Sequence, residues 1–317
     1  MWMGASSHWG YPLLVTWYGT AGFRIETGGR AFLVDPYLSR NADARPRLPF
    51  GPEGVGGAHE IFLSHGHFDH AADVPQIAHR SDARVYCSAV AAETLRCRGV
   101  PDAQLVVVRD GDAFDFGVYR AQCFHSAHVR FDLPLVVRTL LRSIPAILSK
   151  AWLLSRLRHW PPGQVLSWRF TGKSQTDPSL AVGMNGKVGN FGAVAKGFSL
   201  RKPRRFAPGG FTLAAEDDRV VHHFGSAGCT EDELARLAAL GAPDVLMFPL
   251  QGHSRICEIA ANIVGRLKPR VVIPHHHDDF FPPISQAVDI APFVRAMGEL
   301  SPPVEVVELP VCEAVEV

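Results

Sequence analysis

Four side chains able to bind a metal fall within six positions at the end of an apolar run, EIFLSHGHFDH: His65, His67, Asp69 and His70. An ion held by imidazole and carboxylate needs donors that converge to within ~2 Å of one point, so the backbone must match the spacing. Side chains at i and i+2 of an extended segment share a face, and His65 and His67 can therefore grip one ion. Asp69 and His70 follow where the chain turns into a helix and can point toward a second ion beside the first. Gly66 allows close backbone approach there. The alternative is a polar strand-to-helix loop in which Asp69 caps the helix.

Such a cluster carries meaning only in a chain that can build a rigid core. Of 317 residues, 47% are hydrophobic, and 32 basic groups stand against 31 acidic ones. This suits one large globular domain spanning residues 1–317. A net charge of +1 leaves no electrostatic footprint for nucleic acid, which is excluded as a first expectation. Six cysteines (Cys87, Cys97, Cys123, Cys229, Cys257, Cys312) form no C-x-x-C pair and read as buried thiols. The N-terminal MWMGASSHWGYPLL lacks a basic start followed by a long apolar run, and no uninterrupted apolar stretch approaches the ~20 residues of a membrane span. A cytoplasmic protein is expected, with peripheral membrane contact left open.

The patterning alternates strands and helices. LLVTWYG, GFRIET and RAFLVDPYL read as a meander with its hairpin turn at Gly28–Gly29, and EIFLS as a buried strand. ARVYCSA is strand-like, VAAETLRCRG a helix with a Gly stop, and AQLVVVRDGDAFDFGVYRAQCFH a set of strands. The second half follows the same logic: a hairpin in FTLAAEDDRVVHHFGSAG with its turn at Glu216–Asp218, a helix from Thr230 to Gly241, the strand DVLMFPL, the helix CEIAANIVGRLKP and the strand opening RVVIPHHHDDFFPP. Two sheets with outer helices fit this order. His222 and His223 are expected as a strand pair with one side in and one out. GMNGKVGNFG lacks the spacing of a nucleotide-binding loop. Residues 131–162 predict two short amphipathic helices, the first capped by Asp132 and the second begun by Pro145, forming an insertion or a lid that can contact anionic lipid.

H-x-H-x-D-H at the end of an apolar strand resembles the signature of the metallo-β-lactamase superfamily, and further motifs follow in that family's order. LVDPYL resembles its first motif and maps to Asp35. CFHSAHVRFD resembles its third, with His128 the match and His125 the competitor. VVIPHHHDDFF resembles the last motif of the branch that includes L-ascorbate-6-phosphate lactonase and N-acyl-phosphatidylethanolamine phospholipase D, and maps to His276. The resemblance covers about residues 13–128 and 208–282. It implies the α/β (α+β) class with a four-layer αββα sandwich. It also implies one metal site from His65, His67 and His128 and a second from Asp69, His70 and His276, with Asp35 orienting a ligand. The family's usual bridging Asp is replaced here by Ser226 in FGSAG, a far weaker ligand for a dication, so the second ion should bind less tightly.

The chemistry implied is hydrolysis by a metal-bound hydroxide, since zinc lowers the pKa of bound water to about 7. One or two zinc ions are expected, with manganese or iron as alternatives. Asp69 can steer the hydroxide, and the leaving-group acid is sought in His253, His277 or Asp279. The expected substrate is a small or lipid-like molecule, a phosphodiester or other ester with a hydrophobic part. The alternatives are lactone or phosphorylated-sugar hydrolysis, and a noncatalytic metal-stabilised binding protein.

Overall fold

A computed structural model describes residues 11–156, 209–215 and 219–317. The turn expected at Glu216–Asp218 and the last part of the 131–162 segment lie outside the described residues. Strands β1 (Leu14–Trp17), β2 (Phe23–Thr27), β3 (Arg30–Val34), β4 (Glu60–Phe62), β5 (Arg84–Cys87) and β6 (Leu105–Val107) form one sheet in that order. Its outer edge beside β1 is β14 (Ala314–Glu316), brought back from the C-terminal end. The pairings from β14 to β3 are antiparallel and those from β3 to β6 parallel.

The second sheet has the same plan. Strands β7 (Ala113–Asp115), β8 (Tyr119–His125), β9 (Gly209–Ala215) and β10 (Val220–Phe224) pair antiparallel. They continue in parallel through β11 (Val245–Pro249), β12 (Val271–His275) and β13 (Glu305–Val306). Among the described residues the helices are α1 (Phe68–Ala71), α2 (Val74–Ala78), α3 (Ala89–Cys97), α4 (Leu133–Arg156), α5 (Glu231–Ala239), α6 (Ile256–Leu267) and α7 (Ala291–Gly298).

Strand alternation decides the layers, because successive side chains point to opposite faces. Phe62 and Met247 enter a core between the sheets with Phe23, Phe32 and Ile273. Their neighbours Ile61 and Leu63 pack outward on Val74, Ile77 and Leu95. Leu246 and Phe248 pack outward on Leu234, Ile263 and Phe293. Helix, sheet, sheet and helix thus stack as a four-layer αββα sandwich. Local signals hold the outer helices in place. Thr230 and Glu233 form a reciprocal capping box at the start of α5.

The structure corrects several expectations. His222 and His223 are both buried, because β10 is central and is covered on both faces. Of the cysteines, Cys87 and Cys123 are buried, but Cys97 is exposed on its short helix. The segment after residue 131 is one 24-residue helix, with Pro145 inside it rather than at a break. Pro145 removes a single N–H, and the carbonyl it strands belongs to exposed Leu141, where water can satisfy it. The Asp132 carboxylate accepts hydrogen bonds from the backbone N–H of Ser254, at 3.0 Å, and from the Ser254 hydroxyl. No helix among the described residues is long and apolar enough to cross a membrane.

Candidate metal centre

The site forms where loops leave the strands at one edge of the sandwich. After β4 the chain passes a bend at Ser64 and, extended again at His67, turns into α1, which carries Asp69 and His70. His128 follows β8, Ser226 follows β10 and His276 follows β12. Gly228 lets the loop after β10 press against the one carrying His128, since a Cβ there would lie 2.2 Å from the Ala127 carbonyl oxygen.

Two three-donor clusters result. One ligand atom from each of His65, His67 and His128 lies within 4.8 Å of the others, and the same holds for Asp69, His70 and His276. In the first, His65 Nε2 and His67 Nδ1 are 2.9 Å apart. In the second, His276 Nε2 is 3.3 Å and His70 Nε2 3.8 Å from an Asp69 oxygen.

Hydrogen bonds set which nitrogen each ring offers. His128 Nδ1 is 2.7 Å from the Val129 carbonyl, which leaves its Nε2 for the cluster. Fully buried Asp35 contacts His70 Nδ1 at 2.8 Å and accepts the Ser64 N–H at 2.7 Å. Its carboxylate thus holds the His70 ring at Nδ1 and leaves Nε2 facing the cluster. Thr20, Asp35 and His276 all hold left-handed backbone, with φ of 52°, 43° and 57°. Such conformations persist only where surrounding contacts enforce them. For His276 these are its N–H to the Thr20 carbonyl at 2.8 Å, and the Thr20 N–H to both oxygens of Asp278 at 3.0 Å. Arg40 closes the network onto Asp278 at 2.7 Å.

The electrostatics suit a cation. Burial, reinforced by neighbouring imidazoles, pushes His65 well below the ordinary histidine range. Burial likewise takes His67 down to about 4 against the opposing Asp69 charge, and lowers His128. These rings are neutral at neutral pH, with lone pairs available to an ion. Burial opposes ionisation of both members of the second cluster's core. The facing groups outweigh it: Asp35 and Asp69 raise His70, while His70 and His276 lower Asp69. An imidazole-rich donor set with one ionised carboxylate fits borderline dications such as zinc. His276 Nδ1 is buried with no hydrogen-bond partner among the described residues, and the ring's position is set by its backbone, whose N–H donates to the Thr20 carbonyl.

A cavity of about 100 Å³ opens over the clusters and is lined by His67, Asp69, His70, His128, Ser226 and His276. Its remaining walls are mostly apolar: Val129, Phe131, Ala227, Pro249 and Phe280. Ser226 reaches the cavity, and its oxygen accepts the Val129 N–H at 3.0 Å. His125 is drawn away by Glu233, 2.6 Å from its Nδ1, and the same Glu233 accepts the Ala127 N–H at 3.1 Å. His253 is not brought to the cavity. Its Nδ1 accepts the Arg255 N–H at 3.0 Å and lies 3.8 Å from Asp132. His277 stacks on Trp17 with ring centroids 5.0 Å apart, and Asp279 accepts the Ser285 hydroxyl at 2.6 Å; neither lines the cavity. Gln251, which sequence reasoning passed over, does line it. The signal for it was its place just beyond the parallel strand β11, at the edge where ligands bind in such sheets.

A family model described as a beta-lactamase superfamily domain matches residues 30–176. The fold is that of the metallo-β-lactamase superfamily. Across this metallo-β-lactamase fold, the chain is 26% identical over 84% of its length, and 71% of the relative's, to a protein of Myxococcus xanthus named a UPF0173 metal-dependent hydrolase. Among solved structures it resembles Igni18, a metallo hydrolase from Ignicoccus hospitalis, with a TM-score of 0.62 at 17% identity over 96% of this chain and 98% of that one. It also resembles CmlA, a diiron β-hydroxylase from Streptomyces venezuelae, with a TM-score of 0.57 at 15% identity over 96% of this chain and 54% of that one. The metallo-β-lactamase fold therefore hosts both hydrolytic and oxidative chemistry, and the site must decide between them.

Proposed function

We propose that this chain is a metal-dependent hydrolase acting on a phosphodiester or other ester that carries a hydrophobic part. The observation that carries this reading is the meeting of two three-donor clusters beneath one cavity with largely apolar walls. His65, His67 and His128 would hold one ion and Asp69, His70 and His276 the other, with Ser226 between them. Bound dications, zinc first and manganese or iron as alternatives, supply Lewis acidity toward a substrate oxygen and acidify water toward neutral pH. Asp69, kept ionised by His70 and His276, is placed to accept a hydrogen bond from the attacking water and to steer it. The Asp35 carboxylate keeps His70 in register throughout.

The hydrophobic part is supported by α4. Phe131 links the cavity to that helix, whose Leu133, Val137, Leu140, Leu141 and Ile144 recur at helical spacing and are exposed. Exposed Arg138 and Arg142 interleave with this row, which suits a lipid-like substrate approached from an anionic surface by a protein of the cytoplasm. Together with the Pro-x-His at the end of β12, this favours the branch resembling N-acyl-phosphatidylethanolamine phospholipase D over the lactonase. No lysine or arginine is among the described residues that line the cavity, where one could hold a sugar phosphate.

The test loads the protein with zinc, manganese or iron and compares p-nitrophenyl esters of increasing chain length, aryl phosphodiesters and simple lactones. Each added methylene should raise kcat/KM about threefold to fourfold until the apolar surface is filled, matching ~0.8 kcal/mol per buried methylene. Preference for small polar lactones would overturn the substrate class. Hydrolysis of none of the probes by fully metal-loaded protein would instead favour a noncatalytic metal-stabilised protein.

Ser226 makes a second expectation specific to this chain. With a hydroxyl where relatives of this resemblance carry a carboxylate, the ion at Asp69, His70 and His276 has one anionic protein ligand. Ser226→Asp should tighten that ion by about tenfold or more, because a charged oxygen binds a dication far better than a hydroxyl. Turnover should fall, since the added anion weakens the positive field that stabilises an anionic transition state. Chelator titration with metal counting on both proteins reads the difference. Two equally tight ions in the native protein would remove the basis for assigning Ser226 a weakened bridge.

A further inference from the structure

We propose that Gln251 is the hydrogen-bond donor that holds the reacting oxygen of the substrate, its side-chain amide gripping a carbonyl or phosphoryl oxygen as that atom gains negative charge. The proposal rests on the hydrolase reading above. Its physical basis is an orphaned donor: Gln251 Nε2 is buried with no hydrogen-bond partner among the described residues, in a residue that lines the cavity. A buried amide N–H without a partner is costly to keep, and a protein gains by keeping one only where something else supplies the acceptor.

The surroundings aim this group and hold it still. β11 and β12 are parallel, with Pro249 in register with His275, so Gln251 leaves the sheet at the same edge as His276. On one side of it, fully buried Leu250 donates its N–H to the His275 carbonyl at 2.8 Å. On the other side, Gly252 has φ of +96° and packs so closely that a Cβ would lie 2.5 Å from Val129 Cγ1. Only glycine fits both demands, and the loop around Gln251 is thereby pinned to the segment that follows His128. A donor fixed in advance costs no reorganisation when charge develops on its acceptor.

The other polar side chains of the described cavity lining are Ser226 and members of the clusters. The Ser226 oxygen takes the Val129 N–H, and the orphaned His276 Nδ1 belongs to a ring whose other nitrogen faces Asp69. Neither lysine nor arginine is among the described lining residues, so a substrate oxygen depends on neutral donors, and outside the clusters the Gln251 amide is one whose buried N–H has no partner there. For an ester, attack of the water oxygen on the acyl carbon moves the carbonyl electron pair onto the oxygen held by Gln251. That pair returns as the bond to the leaving alkoxy oxygen breaks, and a proton of the attacking water ends on the alcohol.

The experiment compares the metal-loaded wild type with Gln251→Leu and Gln251→Glu. Metal content, ester turnover and calorimetric binding of phenylphosphonate, a non-hydrolysable tetrahedral oxyanion, are measured for each, with the thermal midpoint of the metal-free proteins. Gln251→Leu should keep its metal, bind phenylphosphonate at least about tenfold more weakly and lose kcat by about 10²–10³-fold with KM changed far less. Its metal-free midpoint should equal or exceed that of the wild type, because an unsatisfied amide has been removed from the interior. Gln251→Glu should bind the phosphonate more weakly still. Equal phosphonate affinity in wild type and Gln251→Leu, or no binding by either, overturns the proposal. So does a lowered midpoint or lost metal in Gln251→Leu, which would mark a structural role. A wild type that binds phosphonate through Gln251 yet hydrolyses no ester removes the hydrolase reading and leaves the donor assignment standing.

Discussion

Changing His65 and His67 together to alanine should strip most bound metal from the protein and abolish hydrolysis while leaving the sandwich folded. These two rings supply two of the three donors of one cluster, with facing nitrogens 2.9 Å apart. Loss of an orienting partner beyond the ligands costs about 10–100-fold in metal affinity, so loss of two ligands should exceed that by a wide margin. The fold should survive because the two sheets and their helices are held by apolar clusters of their own: Phe62, Met247 and Ile273 between the sheets, and Leu63 or Phe248 beneath the helices. Metal is therefore an addition to stability rather than its source, in contrast to small metal-dependent domains that unfold without it. Circular dichroism should remain native-like while metal counting falls. Wild-type metal content in the purified double variant would refute the ligand assignment.

Arg40→Met should destabilise the protein by about 3–5 kcal/mol, because it leaves a buried carboxylate without its counterion. The Arg40 and Asp278 side chains are 4% and 2% exposed, and their contact is 2.7 Å. Arg40 also donates to the Tyr18 carbonyl at 3.0 Å and to Thr20 Oγ1 at 2.9 Å, so it ties the loop after β1 to the loop after β12. Thr20 is in turn the acceptor for the His276 N–H. Stability and metal binding should thus fall together, with the Asp69, His70 and His276 ion lost first. The paired variant Arg40→Met with Asp278→Leu should be less destabilised than the sum of its single changes, since no charge is then stranded. Urea denaturation of the four proteins gives both numbers. A loss below about 1 kcal/mol in Arg40→Met would show that water reaches the carboxylate, and would remove Arg40 from the support of the site.

Much of this protein is decided within short windows of its sequence. The alternation in RAFLV and VLMFP, the capping box from Thr230 to Glu233 and the glycine that ends α5 are each local interactions, made between residues a few positions apart. They form wherever such a segment can fold, which is why strands, helices and their order were legible. The H-x-H-x-D-H run belongs to the same class: its four donors span six positions, and backbone periodicity alone brings them toward common points.

Tertiary structure decided what depends on distant groups. In sequence His128 is the match and His125 its competitor, three positions apart. The difference is Glu233, 108 positions beyond His125, whose carboxylate takes His125 and leaves His128 to the cluster. His253 was lost to the site through Asp132 and the Arg255 backbone, and Gln251 entered it because Gly252 pins their loop against Val129. His222 and His223 look like an in-and-out pair until neighbouring strands and outer helices cover both faces of β10. Pro145 reads as a helix boundary because proline ordinarily costs a backbone hydrogen bond, yet on an exposed helix water can take that bond's place. Local chemistry fixes what each segment can become, and long-range burial and pairing settle which of several candidate side chains reaches the site, because desolvation and partner geometry exist only once the layers are stacked.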